Sequence, residues 1–182
     1  PSISEEDKKS YLERLNQYTD RLSILITDLF EVSKANSGNI DLEYSDINII
    51  EFMEQVCAEN EELLQAKNLQ LVTNLPEKEI YVCLDGNKTY RIFENLFTNI
   101  SKYALENTRV FLDVKDIGNS VMIIMKNTSK EPLDFDSDIT ERFVRGDKSR
   151  HESGSGLGLA IVKSFTEVQN GTFMIETDGD LF

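Results

Sequence analysis

Asn95 and Asn99 stand four residues apart in RIFENLFTNISKYALEN (91–107), with Lys102 three further on. In a helix that spacing sets both amides on one face and the ammonium a turn away. Two neutral amide oxygens and a cation suit a Mg²⁺–phosphate site, because magnesium takes hard oxygen ligands and shares them with phosphates and water. Taken alone, Asn-x-x-x-Asn reads rather as a solvated polar face. Ile92, Leu96, Ile100 and Tyr103 are expected to form an apolar face opposite the amides.

A second chemistry-bearing stretch is HESGSGLGLAIVK (151–163). Gly154, Gly156 and Gly158 can present successive backbone N–H groups, and the helix expected to follow aims its partial positive end the same way. Together these would bind phosphate, although the glycines alone also read as a flexible loop. Just before them, RFVRGDKSR (142–150) gathers Arg142, Arg145, Lys148 and Arg150 around a single acid. That basic run stands out in a chain with 33 acidic and 19 basic residues, a formal charge of −14. Such a charge argues against nucleic acid or an anionic membrane surface as partner, so an anionic ligand would need local cations and N–H groups.

These motifs need elements to position them. Residues 5–35 lack Gly and Pro, and Leu15, Tyr18, Leu22, Leu25, Leu29 and Val32 repeat at 3 and 4. That heptad seam, widened by Leu12, Ile26 and Phe30, marks a bundle helix, ended by Asn36-Ser37-Gly38-Asn39 with Gly38 as a left-handed cap. A second helix is expected over 47–66. The period then shortens: strands at 69–75 and 80–85 joined by a turn at Pro76-Glu77-Lys78, a helix at 87–105, and strands at 109–116 and 121–127 around Gly118-Asn119. After a loop with Pro132 and a short segment near 138–144 come a helix at 157–169 and a strand at 172–177. The order implies a long bundle helix, then an α/β (α+β) two-layer sandwich with a mixed sheet and helices on one face, the boundary falling near 38–45.

Forty per cent of the residues are apolar, enough for a core, yet no run approaches the roughly 20 residues that span a bilayer. The start PSISEEDKKS has no signal-peptide pattern. Cys57 and Cys83 are too few for a disulfide framework and read as small hydrophobes in a reducing cytosol.

In this order the motifs resemble those of bacterial sensor histidine kinases. Asn95 to Tyr103 is similar to their asparagine box, Arg142-Phe143-Val144-Arg145-Gly146-Asp147 to their phenylalanine box, and Gly154 to Val162 to their second glycine box. Residues 11–35, with Asp28-Leu29-Phe30 and Ser33-Lys34, resemble the second helix of their dimerisation bundle. The resemblance implies residues 1–40 as that helix and 41–182 as the catalytic ATP-binding domain, with an ATP lid over about 129–156. It further implies ATP and Mg²⁺ as cofactors. Asn99 would hold the metal, with Asn95 and Lys102 near the phosphates as the catalytic group. Tyr103, Asn127, Phe143, Arg145, Arg150, Gly154, Ser155, Gly156, Leu157, Gly158 and Leu159 would complete the nucleotide site.

Implied partners are a response regulator receiver domain and a second copy through the bundle, with no nucleic acid. The implied location is the cytoplasmic part of a membrane-bound bacterial kinase, reaching the membrane only through parts of the parent protein not present here. Two departures stand out. The first bundle helix, with its acceptor histidine, is not in the sequence, and His151 falls in the lid region, so the chain as given is expected not to phosphorylate itself. The sequence TDGDLF also resembles the approach to the family's last strand. Further, Asn127-Thr128-Ser129-Lys130 stands where the family shows Asp-x-Gly-x-Gly. A degenerate nucleotide-binding or scaffold module on the same fold therefore stays open, as does an ATPase of the chaperone or mismatch-repair type. The heptad helix speaks against the latter.

Overall fold

A computed structural model describes residues 4–38, 40–130, 157–177 and 181–182. The chain begins with α1 (Glu5–Asn36), then β1 (Tyr44–Asn48), α2 (Ile49–Glu59), α3 (Glu61–Gln65), β2 (Gln70–Asn74) and β3 (Tyr81–Asp85). It continues with α4 (Gly86–Tyr103), β4 (Arg109–Asp116), β5 (Val121–Asn127) and α5 (Gly158–Val168). β1 and β3 form an antiparallel ribbon, while β2, β4 and β5 form a mixed sheet with β2 parallel and β5 antiparallel to central β4.

In β4 the apolar residues alternate, so Val110, Leu112 and Val114 point to one face, where all three are buried. Ile49, Met53, Val56, Leu64, Phe93, Phe97 and Ile100 from α2, α3 and α4 pack on that face to make the main core. Phe97 is fully enclosed. Burying such a side chain contributes about 1.5–3 kcal/mol.

A second core lies on the other side of α4. Val32 and Ala35 of α1, Ile92 of α4, and Ile161, Val162 and Phe165 of α5 close on one another, with Leu157 among them. The α5 sequence makes this possible, since Ile161, Val162 and Phe165 recur at helical spacing and all are buried. α1 starts at Ser4, whose side chain accepts from the Asp7 amide, and ends at Ser37 and Gly38. Gly38 takes φ +70° and donates to the Ala35 carbonyl, the left-handed stop that its type allows. Of the seam, Val32 is buried and Leu25 half-buried, whereas Leu12, Leu15, Tyr18, Leu22, Ile26, Leu29 and Phe30 stay exposed.

Two expectations need correction. The helix expected over 47–66 is the end of a strand and two helices. Asn48 stops β1 and caps α2 by accepting from the Ile50 amide, and Asn60 breaks the run by bonding its Nδ2 to the Val56 carbonyl. The strands expected at 69–75 and 80–85 are present as β2 and β3, in different sheets: β2 pairs with β4 and β3 with β1. Finally, 172–177 joins no ladder among the described residues. Alternation supplies faces, but a strand also needs a neighbour's N–H and C=O groups, and the β5 edge is met by Leu181 and Phe182 instead. The expected segment near 138–144 and nearly all of the lid lie outside the described residues.

Candidate nucleotide site

Asp85 starts α4 as its N-cap, its Oδ1 accepting from the Lys88 amide and its Oδ2 from the Glu43 amide. From the end of α5, Gln169 Oε1 accepts from the Asp85 amide at 2.8 Å and lies 3.3 Å from the Thr89 hydroxyl. Its Nε2 donates to the Phe165 carbonyl. One side chain thus ties the start of α4 to the end of α5 and fixes the two helices antiparallel.

The opposite end of that helix pair carries the candidate site. Asn95 Nδ2 donates to the Arg91 carbonyl at 2.8 Å, which leaves Oδ1 turned toward α5. A Cβ added to Gly158 would stand 3.2 Å from Asn95 Oδ1 and 3.4 Å from both Nδ2 and Oδ1 of Asn99. The amides are therefore half-buried beneath the first turn of α5 and are not a solvated face. Ile92 and Leu96, expected opposite them, stand beside them on the helix and pack into the second core. Phe93 and Phe97 supply the far side.

Leu157 precedes that first turn, fully buried, and as the N-cap residue its apolar side chain makes no capping hydrogen bond. The first N–H groups of a helix have no acceptor within it and carry partial positive charge. Here they open beside two amide oxygens.

At its C-terminal end α4 meets the end of β5. Leu105 N donates to the Thr128 carbonyl, Lys130 N to the Tyr103 carbonyl, and Lys130 Nζ lies 3.4 Å from the Lys102 carbonyl. These bonds bring Asn127, Lys102 and Tyr103 to the same end of the sandwich. Asn127 is 4% exposed, and its backbone exchanges two hydrogen bonds with Phe182.

The structure thus gathers Asn95, Asn99, Leu157 and Gly158, and sets Lys102 and Tyr103 further along α4, with Asn127 at the neighbouring end of β5; Leu159 follows in the first turn of α5. Phe143, Arg145, Arg150, Gly154, Ser155 and Gly156, with Arg142 and His151, lie outside the described residues. Sequence reasoning missed Asp85 and Gln169. Asp85-Gly86-Asn87-Lys88 carried a capping signal; nothing in the sequence marked Gln169. Cys83, expected as a small hydrophobe, is exposed on β3, while Cys57 is buried, which pushes its thiol up to about 11. Among the described residues no cluster of three His, Cys, Asp or Glu could hold a metal, and no helix is long and apolar enough to cross a membrane.

Residues 84–180, over half of the chain, match the histidine kinase-, DNA gyrase B- and HSP90-like ATPases, and the chain belongs to that family. Its nearer likeness is to sensor histidine kinases. It is 33% identical over 174 residues to the sensor protein kinase WalK of Staphylococcus aureus, an alignment covering 92% of this chain and 41% of that protein. The chain spans less than half the length of the WalK sequences it matches. The fold is shared with full-length ShkA in complex with AMPPNP, at TM-score 0.77 and 22% identity over 93% of this chain and 35% of that one. It is shared also with the histidine kinase ThkA in complex with the response regulator protein TrrA, at TM-score 0.70 and 18% identity over 100% and 51%.

Proposed function

We propose that this chain is the ATP-binding catalytic portion of a sensor histidine kinase, which directs the γ-phosphoryl of Mg·ATP to a histidine on another bundle helix for relay to a response regulator. The observation that carries the reading is the seating of the α5 N-terminus, at Gly158, on the Asn95–Asn99 pair. That crevice offers N–H donors to phosphate oxygens and amide oxygens to a cation, the two halves of a Mg–phosphate ligand.

Asn99 Oδ1 fits a magnesium ion, being a hard neutral oxygen that leaves most of the coordination shell to phosphates and water. Bound there, the ion would neutralise phosphate charge. Asn95, held by the Arg91 carbonyl, keeps its oxygen on the same crevice. Lys102 supplies positive charge a turn away, and Tyr103 covers the nucleotide beside it. In the lid, Phe143 would pack the segment down and Arg145 and Arg150 offset phosphate charge, while Gly154, Ser155 and Gly156 lead into Leu157, Gly158 and Leu159. Asn127 takes the adenine end, where a buried amide can both donate to and accept from the base. The homodimer through α1, the receiver-domain partner and the cytoplasmic location belong to this same reading. The ShkA–AMPPNP and ThkA–TrrA complexes support it by analogy.

Titrating the chain with ATP by calorimetry, with and without Mg²⁺, tests it. Binding should need Mg²⁺ for full strength, and Asn99→Ala should weaken it about tenfold or more while the melting temperature stays nearly fixed. Unchanged affinity together with a large drop in melting temperature would make Asn99 a purely structural residue. The scaffold reading draws on Asn127 in place of the family's aspartate, and it takes over if millimolar ATP does not bind.

A further inference from the structure

The last turns of α1 present two carboxylates to two cations on α4. Asp28 Oδ1 accepts from the Arg91 guanidinium, and Glu31 Oε1 lies 2.9 Å from Lys88 Nζ. Arg91 also reaches Glu31 at 3.8 Å and Glu94 at 3.4 Å. Asp28 is 7% exposed. Burial raises its pKa above the ordinary carboxylate value, and the Arg91 charge offsets that only in part. A pair of this kind contributes little net stability; its effect is to exclude arrangements that would strand either charge. The apolar part of the interface, Val32 and Ala35 against α5, lacks such directionality.

This contact touches both halves of the candidate site. Arg91 lies one helical turn before Asn95 and accepts the Asn95 amide at its own carbonyl. Val32 and Ala35 share a core with Leu157, the residue that immediately precedes Gly158. The amide pair and the helix end above it are thus both braced by α1.

We propose, resting on the nucleotide-binding reading above, that Asp28 and Arg91 are positioning residues that seat α1 in one register and thereby set the affinity of the site for a Mg–nucleotide. α1 seated by this pair holds Leu157, and with it the α5 N-terminus, against the asparagine face. Displacing α1 releases that brace and loosens the phosphate crevice. Thermodynamic reciprocity requires that bound nucleotide tighten the seating of α1 by the same factor. A signal that moves the bundle helix would reach the nucleotide through this pair.

The test uses the whole chain and three variants: Asp28→Arg, Arg91→Asp and the two together. Calorimetric titration with Mg·AMPPNP gives the Kd, and a thermal melt is recorded alongside. Each single variant should bind about fivefold more weakly, with most of the loss recovered in the double variant, where Arg at 28 again faces carboxylates at 31, 91 and 94. Should a reversed charge prevent folding, Asp28→Asn keeps the size and removes only the charge, and it too should raise the Kd when titrated well below its melting temperature, where the variant is folded. A melting temperature that falls in the single variants and returns in the double, with Kd unchanged throughout, would overturn the proposal and leave an ordinary ion pair. Wild-type binding with an unaltered Kd in Asp28→Asn would overturn it as well. Failure of the wild type to bind AMPPNP would remove the functional reading and this inference together.

Discussion

Gly158→Ala adds one methyl group where α5 meets the asparagine pair. The positive-φ glycines among the described residues are Gly38 and Gly118, so the Gly158 backbone accepts alanine without conformational strain. As the better helix former, alanine gains about 0.5–1 kcal/mol. Against this, the methyl would stand 3.2 Å from Asn95 Oδ1 and 3.4 Å from Asn99 Oδ1. That is a few tenths of an ångström inside comfortable contact, which a small shift of two half-buried amides relieves at similar cost. The terms nearly cancel, and the melting temperature should stay within about 2 °C of wild type.

Binding does not share this cancellation. A phosphate oxygen must approach the α5 N–H groups to about 2.9 Å, and the methyl occupies the space through which it comes. Losing a helix-terminus contact with an anion, worth up to about 2 kcal/mol when partly buried, should weaken Mg·AMPPNP binding roughly tenfold. Calorimetry and a thermal melt on one preparation measure both. Gly171→Ala is the control: its Cβ would stand 2.8 Å from Thr166 Cγ2 and 3.1 Å from the Thr166 carbonyl oxygen, so it should lower the melting temperature and spare the affinity of the folded fraction. The reasoning fails if Gly158→Ala loses stability while binding nucleotide as well as wild type does.

Two further expectations concern β5 and its neighbours. Asn127→Asp should tighten ATP binding several-fold, since hydrogen bonds to a charged group contribute about 1.5–3 kcal/mol against about 0.5–1.5 for neutral ones; wild type should prefer ATP over GTP in competition, and a weaker-binding variant would refute the assignment. Asp113 accepts from Asn74 at 3.1 Å and lies 3.2 Å from Lys126, which together lower its pKa below 3.8. Its stabilising effect is therefore present above that value and fades as pH falls through the lowered one. Asp113→Asn should cost about 0.5 kcal/mol at pH 7 and nothing well below pH 3.8 in denaturant titrations; a difference that does not change with pH would exclude the ion pair as the cause.

The sequence showed α1, α4, β4, β5 and α5 closely because each carries a long period or a strict alternation, as in Val110, Leu112 and Val114. β1 was hidden: Tyr44-Ser45-Asp46-Ile47-Asn48 has one strong apolar position, and its ladder is set by β3, which lies far along the chain. Asn60 ends a helix through its own side chain, a choice that helical spacing does not encode. In the site, Asn95, Asn99 and Gly158 were legible as types, but that Gly158 lies over the amides depends on how α4 and α5 cross. Gln169, which fixes that crossing, is an ordinary polar residue at a helix end. Asp28 and Arg91 were equally silent, being charges whose partners are 63 residues apart.

Val32 and Ala35, 0% and 4% exposed, belong to a core most of which is contributed by residues far later in the chain. The visible joint between helix and sandwich, at Ser37 and Gly38, is therefore not the joint at which the parts are separable. Exchange of ATP-binding units between related proteins by recombination at that glycine would carry across Ile161 and Phe165 but leave behind the side chains shaped to meet them. A crossover that preserves function has to fall at least two turns earlier, before Asp28, so that the end of the bundle helix is inherited with the unit it serves.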